Sequence, residues 1–207
     1  MTRPDASPNL KGTQMPLVPT RECGPCTVCC TELTIDQPEL QKLPGHTCPN
    51  CVVNGGCTIH ATRPNICRLW FCGWRLLDWI GEALRPNQSG VMVLLALDDK
   101  PDGYNQDIAL DVALLNQAAC EADGLAEMLL HAITTNIAVF LCLPGPPGQW
   151  GARMLINEEL KDAAATGKPA RVSRALRQLY VVLRITGQAQ MRNPIVLGDA
   201  GSDQAAS

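Results

Sequence analysis

Apolar positions are spaced differently in the two halves of this chain. From residue 86 onward they form runs and stripes. Residues 91–97 are a continuous apolar stretch bounded by Gly90 and the polar residues 98–103, the pattern of a buried strand ending in a turn. Residues 108–114 read as a strand returning as its hairpin partner, or as the start of a helix running toward Cys120. Leu125, Met128, Leu129 and Ala132 are spaced as one helix face, so residues 123–132 are predicted helical. Residues 136–143 are predicted to form a further strand, residues 144–148 a proline-bounded loop, and residues 153–156 a short strand. Two helices close the pattern. One spans 157–166 with Asn157 as N-cap; the other spans 170–187, with Leu176, Leu179, Tyr180 and Leu183 on one face and Arg171, Arg174, Arg177 and Arg184 elsewhere.

Residues 21–80 hold nine of the eleven cysteines and three of the four tryptophans. Residues 68–84 are predicted to form one helix, along which Trp70, Phe71, Trp74 and Trp79 cover the cysteines and dock them on a sheet. The expected fold class is α+β: a loop-rich cysteine lobe packed on a small, mostly antiparallel sheet with three or four helices. The expected organisation is a flexible arm at 1–20, the cysteine region at 21–85, an α+β region at 86–191 packed with it in one domain, and a flexible tail at 192–207.

Composition narrows the functions. The chain has 207 residues, 46% hydrophobic but only 4% aromatic, with a net charge of −3. That balance carries no basic footprint for nucleic acid. No apolar run approaches the roughly 20 residues that cross a bilayer, and the N-terminus lacks the apolar stretch of a signal peptide. The expected location is the cytoplasm, where thiols stay reduced.

That setting decides how the cysteines are read. Cys23, Cys26, Cys29 and Cys30 fall within eight residues, followed by Cys48, Cys51, Cys57, Cys67 and Cys72. A CxxC turn brings two sulfurs to one side of a tight loop, close enough to share a metal ion. Three cysteines in such steps can wrap an iron–sulfur cubane, with a remote cysteine as fourth ligand. Disulfides would require an oxidising compartment, and nine is an odd count. Cys120 and Cys142 suit the role of small core hydrophobes. The adjacent Cys29 and Cys30 point apart in extended chain, so one is expected to join the site while the other joins a second metal, packs or reacts. Nine thiols exceed one tetrahedral shell, which fits two zinc sites or one iron–sulfur cluster with spare thiols.

The string Cys23-x-x-Cys26-x-x-Cys29-Cys30 resembles the signature of the YkgJ-type cysteine-cluster family, a zinc- or iron-chelating domain. The block from Gly56 through Cys57, Ile59, Arg63-Pro64, Cys67-Arg68 and Cys72 to Trp74 is similar to that family's second motif, with His60 standing where the family shows Tyr. The likeness spans about residues 21–80. It implies Cys23, Cys26, Cys29, Cys30, Cys48, Cys57, Cys67 and Cys72 as metal ligands, with Cys51 an alternative to Cys48. Some larger relatives in the family are linked to lysine methylation of flagellin. This chain has no glycine-rich nucleotide loop after a clear strand, so that activity is not expected of it.

Around these thiols, Arg63 and Arg68 are expected to offset thiolate charge from just outside the ligand shell. His60 and His46 are weaker ligand candidates than the thiols, and His131 is expected to be structural. The expected function is a metal-binding protein with a cysteine-ligated iron–sulfur cluster, or zinc, serving a redox or modification reaction. The alternatives are a zinc-stabilised module that binds a protein partner and a metal storage or delivery protein. Neither nucleic acid nor a membrane is expected as a partner, and whether the protein is an enzyme stays open.

Overall fold

In the cysteine-rich part the elements are short, because frequent Gly, Pro and Cys leave no room for a sustained period. The structure, a computed structural model, describes residues 15–52, 55–96, 100–105 and 107–197. Helix α1 (Val28–Glu32) is followed by a hairpin of β1 (Ile35–Gln37) and β2 (Leu40–Lys42) and a two-residue ladder of β3 (Cys51–Val52) and β4 (Gly56–Cys57). Single-turn helices α2 (Asn65–Leu69), α3 (Gly73–Leu76) and α4 (Pro86–Ser89) lead into the larger part. That part contains β5 (Val91–Leu95), β6 (Ala109–Leu114), α5 (Leu125–Thr134), β7 (Ala138–Leu143), β8 (Ala152–Leu155), α6 (Asn157–Ala165) and α7 (Pro169–Thr186).

The four long strands pair in the order β5-β6-β7-β8. β5 and β6 form the expected antiparallel hairpin, with Val93 opposite Val112. β6 and β7 run parallel, with Val112 opposite Leu141, and β7 and β8 run antiparallel. A parallel neighbour cannot be reached by a tight turn. The connection instead carries a 3-10 turn at Gln117–Glu121 and then α5. The fold is therefore α+β with a mostly antiparallel sheet, as the apolar pattern predicts.

Alternation along the strands sorts the sheet into two faces. Leu110, Val112, Leu114, Val139 and Leu141 join Leu125 and Leu129 of α5, Leu160 of α6 and Val172 and Leu176 of α7 in one core. Trp74, Leu77, Ile80 and Leu84 belong to the same core, so its apolar packing crosses the boundary near residue 85. On the other face Ala109, Ala138 and Phe140 form a smaller cluster. There the Arg153 guanidinium lies 3.4 Å from the Phe140 ring centroid and bonds Asp111 at 2.8 Å.

Two expectations are corrected in detail. The single helix over residues 68–84 is broken: α2 ends at Leu69, Trp70 and Cys72 are extended, α3 is one turn, and a 3-10 turn holds Glu82–Leu84. Close packing explains the break. A Cβ on Gly73 would lie 2.8 Å from Val93 Cγ1, so only glycine lets the chain pass this close over β5, and the elements on either side of it are set by that contact. The aromatic residues consequently divide. Trp74 is buried in the sheet core, Trp79 stacks obliquely on His131 with ring centroids 4.7 Å apart, and Trp70 and Phe71 are only half-buried.

The second correction concerns Asn157, which is the first residue of α6 and not its N-cap; Ile156 holds that position. The buried amide ties α6 to the sheet: its Oδ1 accepts from the Val139 N–H at 2.7 Å, and its Nδ2 donates to the Ile137 carbonyl at 2.8 Å. Asn157→Ala strands both backbone partners and is expected to cost about 2 kcal/mol in urea denaturation, the penalty for buried polar groups left unpaired. A loss below about 0.5 kcal/mol would mean water replaces the amide.

The turn expected at 98–103 is only partly covered, since Asp98 and Asp99 fall outside the described residues. The arm as far as residue 14 and the tail beyond residue 197 also lie outside them. Within the described residues, the Ile195 N–H bonds the Gly148 carbonyl at 3.1 Å and the Trp150 N–H bonds that of Asn193 at 3.0 Å. No helix among the described residues is long and apolar enough to cross a membrane.

Candidate metal centre

Between residues 21 and 72 the only buried described residues are Arg21, Ile35, Lys42 and Cys48. The sheet and its helices hold the rest of the apolar core. What the lobe gathers instead is sulfur. All nine cysteines predicted as a site lie in it, none joined to another by a disulfide.

Local turns aim them. The Cys26 N–H bonds the Cys23 carbonyl at 2.9 Å, and Gly24 between them takes a φ of 50°, in the left-handed region glycine favours. The second CxxC is closed the same way, Cys51 N–H to Cys48 carbonyl at 2.9 Å, and the Cys48 N–H bonds the Cys30 carbonyl at 2.9 Å. Cys51 and Cys57 are direct cross-strand partners in the β3–β4 ladder. Cys67 sits on α2, and Cys72 precedes α3 with the amides of Arg75 and Trp74 facing its sulfur.

Mutual electrostatics divide the thiols into two groups. Cys23 feels Cys26; Cys72 feels Cys23 and Cys26; Cys29 feels both as well. Cys67 feels Cys30, Cys48 and Cys57, and Cys51 feels Cys30 and Cys48. Cys29 and Cys30 join the groups. They lie on the one-turn helix α1, not in extended chain, and their side chains hydrogen-bond to each other. That bond holds Cys30 down to about 6, against the opposing effect of burial, and raises Cys29. Burial first, then neighbouring thiols, pushes Cys67 up, and burial pushes Cys72 up to about 11. So many thiols cannot ionise together without a cation between them. Among the described residues no three His, Cys, Asp or Glu side chains already converge on a point that could hold a metal ion.

No family model, curated protein or solved structure matches this chain. The likeness to the YkgJ-type family therefore rests on the motifs between Cys23 and Trp74 themselves.

Of the two arginines expected near the thiols, Arg63 is there. It bonds the Cys67 and His60 carbonyls at 3.1 and 2.8 Å and lowers both Cys23 and Cys67. Arg68 is exposed and bonds the Asn65 side chain. His46 and His60 are both exposed. Three cations were not singled out by spacing. Arg75 is the largest cationic influence on Cys23, and Arg85 adds to it while bonding the Glu22 and Cys23 carbonyls. Lys42 is buried, donates to the carbonyls of Thr31, Leu43 and His46, and lowers Cys30. Arg75 follows Cys72 by three residues, one helical turn, which is a readable signal. Lys42 gave none, since its place depends on the β1–β2 hairpin.

Proposed function

We propose that this is a metal protein whose residues 21–72 hold an iron–sulfur cluster, zinc, or both through cysteine thiolates. The observation that carries the reading is nine gathered thiols in a lobe with almost no apolar core. A segment that small cannot offset its ordering entropy by hydrophobic burial, and metal cross-links are a common substitute. The donor set fits. All-sulfur ligands are soft and suit iron–sulfur clusters and zinc.

Cys23, Cys26, Cys29 and Cys72 would hold one centre. The two short steps from Cys23 through Cys26 to Cys29 and the remote fourth cysteine favour an iron–sulfur cluster there. Cys30, Cys48, Cys51, Cys57 and Cys67 would hold the other. The turn-closed Cys48–Cys51 pair and the facing Cys57 favour zinc, with four of these five as ligands. An iron–sulfur cluster supplies one-electron redox chemistry; zinc supplies a structural cross-link. Arg63, Arg75, Arg85 and Lys42 offset the negative charge that the thiolates leave.

The test is protein purified without oxygen, with its visible spectrum recorded and iron, sulfide and zinc assayed on one sample. Cys72→Ser should lose iron and sulfide but keep zinc, and Cys67→Ser should do the reverse. A colourless protein holding zinc alone would sink the iron–sulfur half and favour an interaction module. Partial, exchangeable occupancy would favour storage or delivery. Folded protein that takes up neither metal would sink the reading altogether.

A further inference from the structure

The last long helix lies in a segment of one-sided charge. Residues 163–198 carry six cations (Lys168, Arg171, Arg174, Arg177, Arg184 and Arg192) and no carboxylate, while the rest of the chain has eleven cations against twenty acids. α7 turns Val172, Leu176, Tyr180 and Leu183 into the core. At about 100° per residue, Val181 and Ile185 project from the middle of the opposite side, with Arg174 between them in angle. Arg177 and Arg184 flank them on one side, Arg171 and Val182 on the other.

All of these flanking residues are exposed, and the three apolar ones are 52% (Val181), 47% (Val182) and 64% (Ile185) accessible. Arg177 reaches Glu121 at 2.9 Å, but both side chains are half in solvent, and such a pair is easily exchanged for another. Two β-branched side chains at the centre of a cationic face, with Val182 at its edge, form the core-and-rim arrangement of a docking surface.

The charge selects the occupant. A second copy packing through the same face would set arginine against arginine. Nucleic acid would use the cations but gain nothing from Val181, Val182 and Ile185, and this exposed face has no aromatic side chain on which a base could stack. We infer that the exposed face of α7 docks an acidic, amphipathic segment of a partner protein. Apolar residues one helical turn apart in that segment cover Val181 and Ile185, and its carboxylates meet Arg171, Arg174 and Arg184.

The experiment uses the full chain and a fluorescent synthetic helical peptide, with leucines on one face and glutamates on the other. A matched peptide has lysine for glutamate. The glutamate peptide should bind, more weakly as salt rises, and the lysine peptide should not. Val181→Ser with Ile185→Ser, and separately Arg174→Glu with Arg184→Glu, should each weaken binding at least about tenfold. Circular dichroism should stay unchanged in both, since every substituted side chain is exposed. The inference fails if the two peptides bind alike or if the variants bind as the parent does. It also fails if phosphatidylserine vesicles or a DNA duplex bind this face more tightly than the peptide.

Discussion

Removing metal from the cysteine lobe is expected to unfold residues 21–72 while the four-stranded sheet and its three long helices stay folded. The asymmetry follows from where apolar surface is buried. Ile35 and Cys48 are the only buried apolar residues described in the lobe, whereas the core from Trp74 onward is continuous. Structural thiolate metal sites contribute apparent free energies of about 10–16 kcal/mol near neutral pH, far more than two buried side chains can. Hydrogen exchange with and without chelator checks this. Amides around Cys26, Cys48 and Cys51 should lose protection, and those of β6 and β7 should keep it. Joint loss of protection would show instead that the sheet depends on the lobe. Acid should act as chelator does. Burial raises Cys67 and Cys72, so these thiols are protonated at neutral pH until metal displaces the proton, and metal affinity should rise with pH.

Arg21→Met is expected to be the most damaging single substitution outside the cysteines, costing about 3–5 kcal/mol, because four backbone carbonyls lose their donor and a buried acceptor left unpaired costs about 1–3 kcal/mol. The residue is 5% exposed, and all five of its N–H donors are used. Nε donates to Glu82; Nη1 donates to the carbonyls of Trp74 and Leu77; Nη2 donates to those of Asp78 and Ile80. The guanidinium also lies 5.3 Å from the Trp74 ring centroid. One side chain thereby satisfies the irregular backbone that follows α3. Arg21→Lys should restore only part of the loss, because an ammonium has three donors and no planar fork. Glu82→Gln should cost under about 1 kcal/mol, because the Glu82 side chain is largely in solvent. Chemical denaturation of the three variants ranks them. An Arg21→Met cost no larger than that of Glu82→Gln would refute the role of the four carbonyls.

How much of this was legible depends on whether a residue's role is local. Strands β5 to β8 and helices α5 and α7 are written in apolar runs or stripes that need no partner to be recognised. The two CxxC turns also follow from short spacing, whereas the one-turn helix that carries Cys29 and Cys30 does not. The false single helix over 68–84 shows the opposite case. Trp70, Trp74 and Leu77 mimic a helical stripe, but Gly73 answers to Val93, twenty residues later. Asn157 resembles a cap in sequence and instead bonds a strand about twenty residues earlier. Arg21 and Lys42 became visible only once the carbonyls they serve were brought together.

The same latch makes the lobe an insert. The chain leaves the sheet body at Arg21 and returns at Trp74, where the two backbone segments are already tied together by the Val18 N–H to Arg75 carbonyl bond of 2.9 Å. One further backbone tie, from the Gly148 N–H to the Pro44 carbonyl at 2.9 Å, steadies the far side. A module whose ends meet in this way is portable. It could be carried into a host that offers two adjacent chain ends, provided that Arg75 and Arg85, which act on Cys23 from the body and hold the Glu22 and Cys23 carbonyls, travel with it.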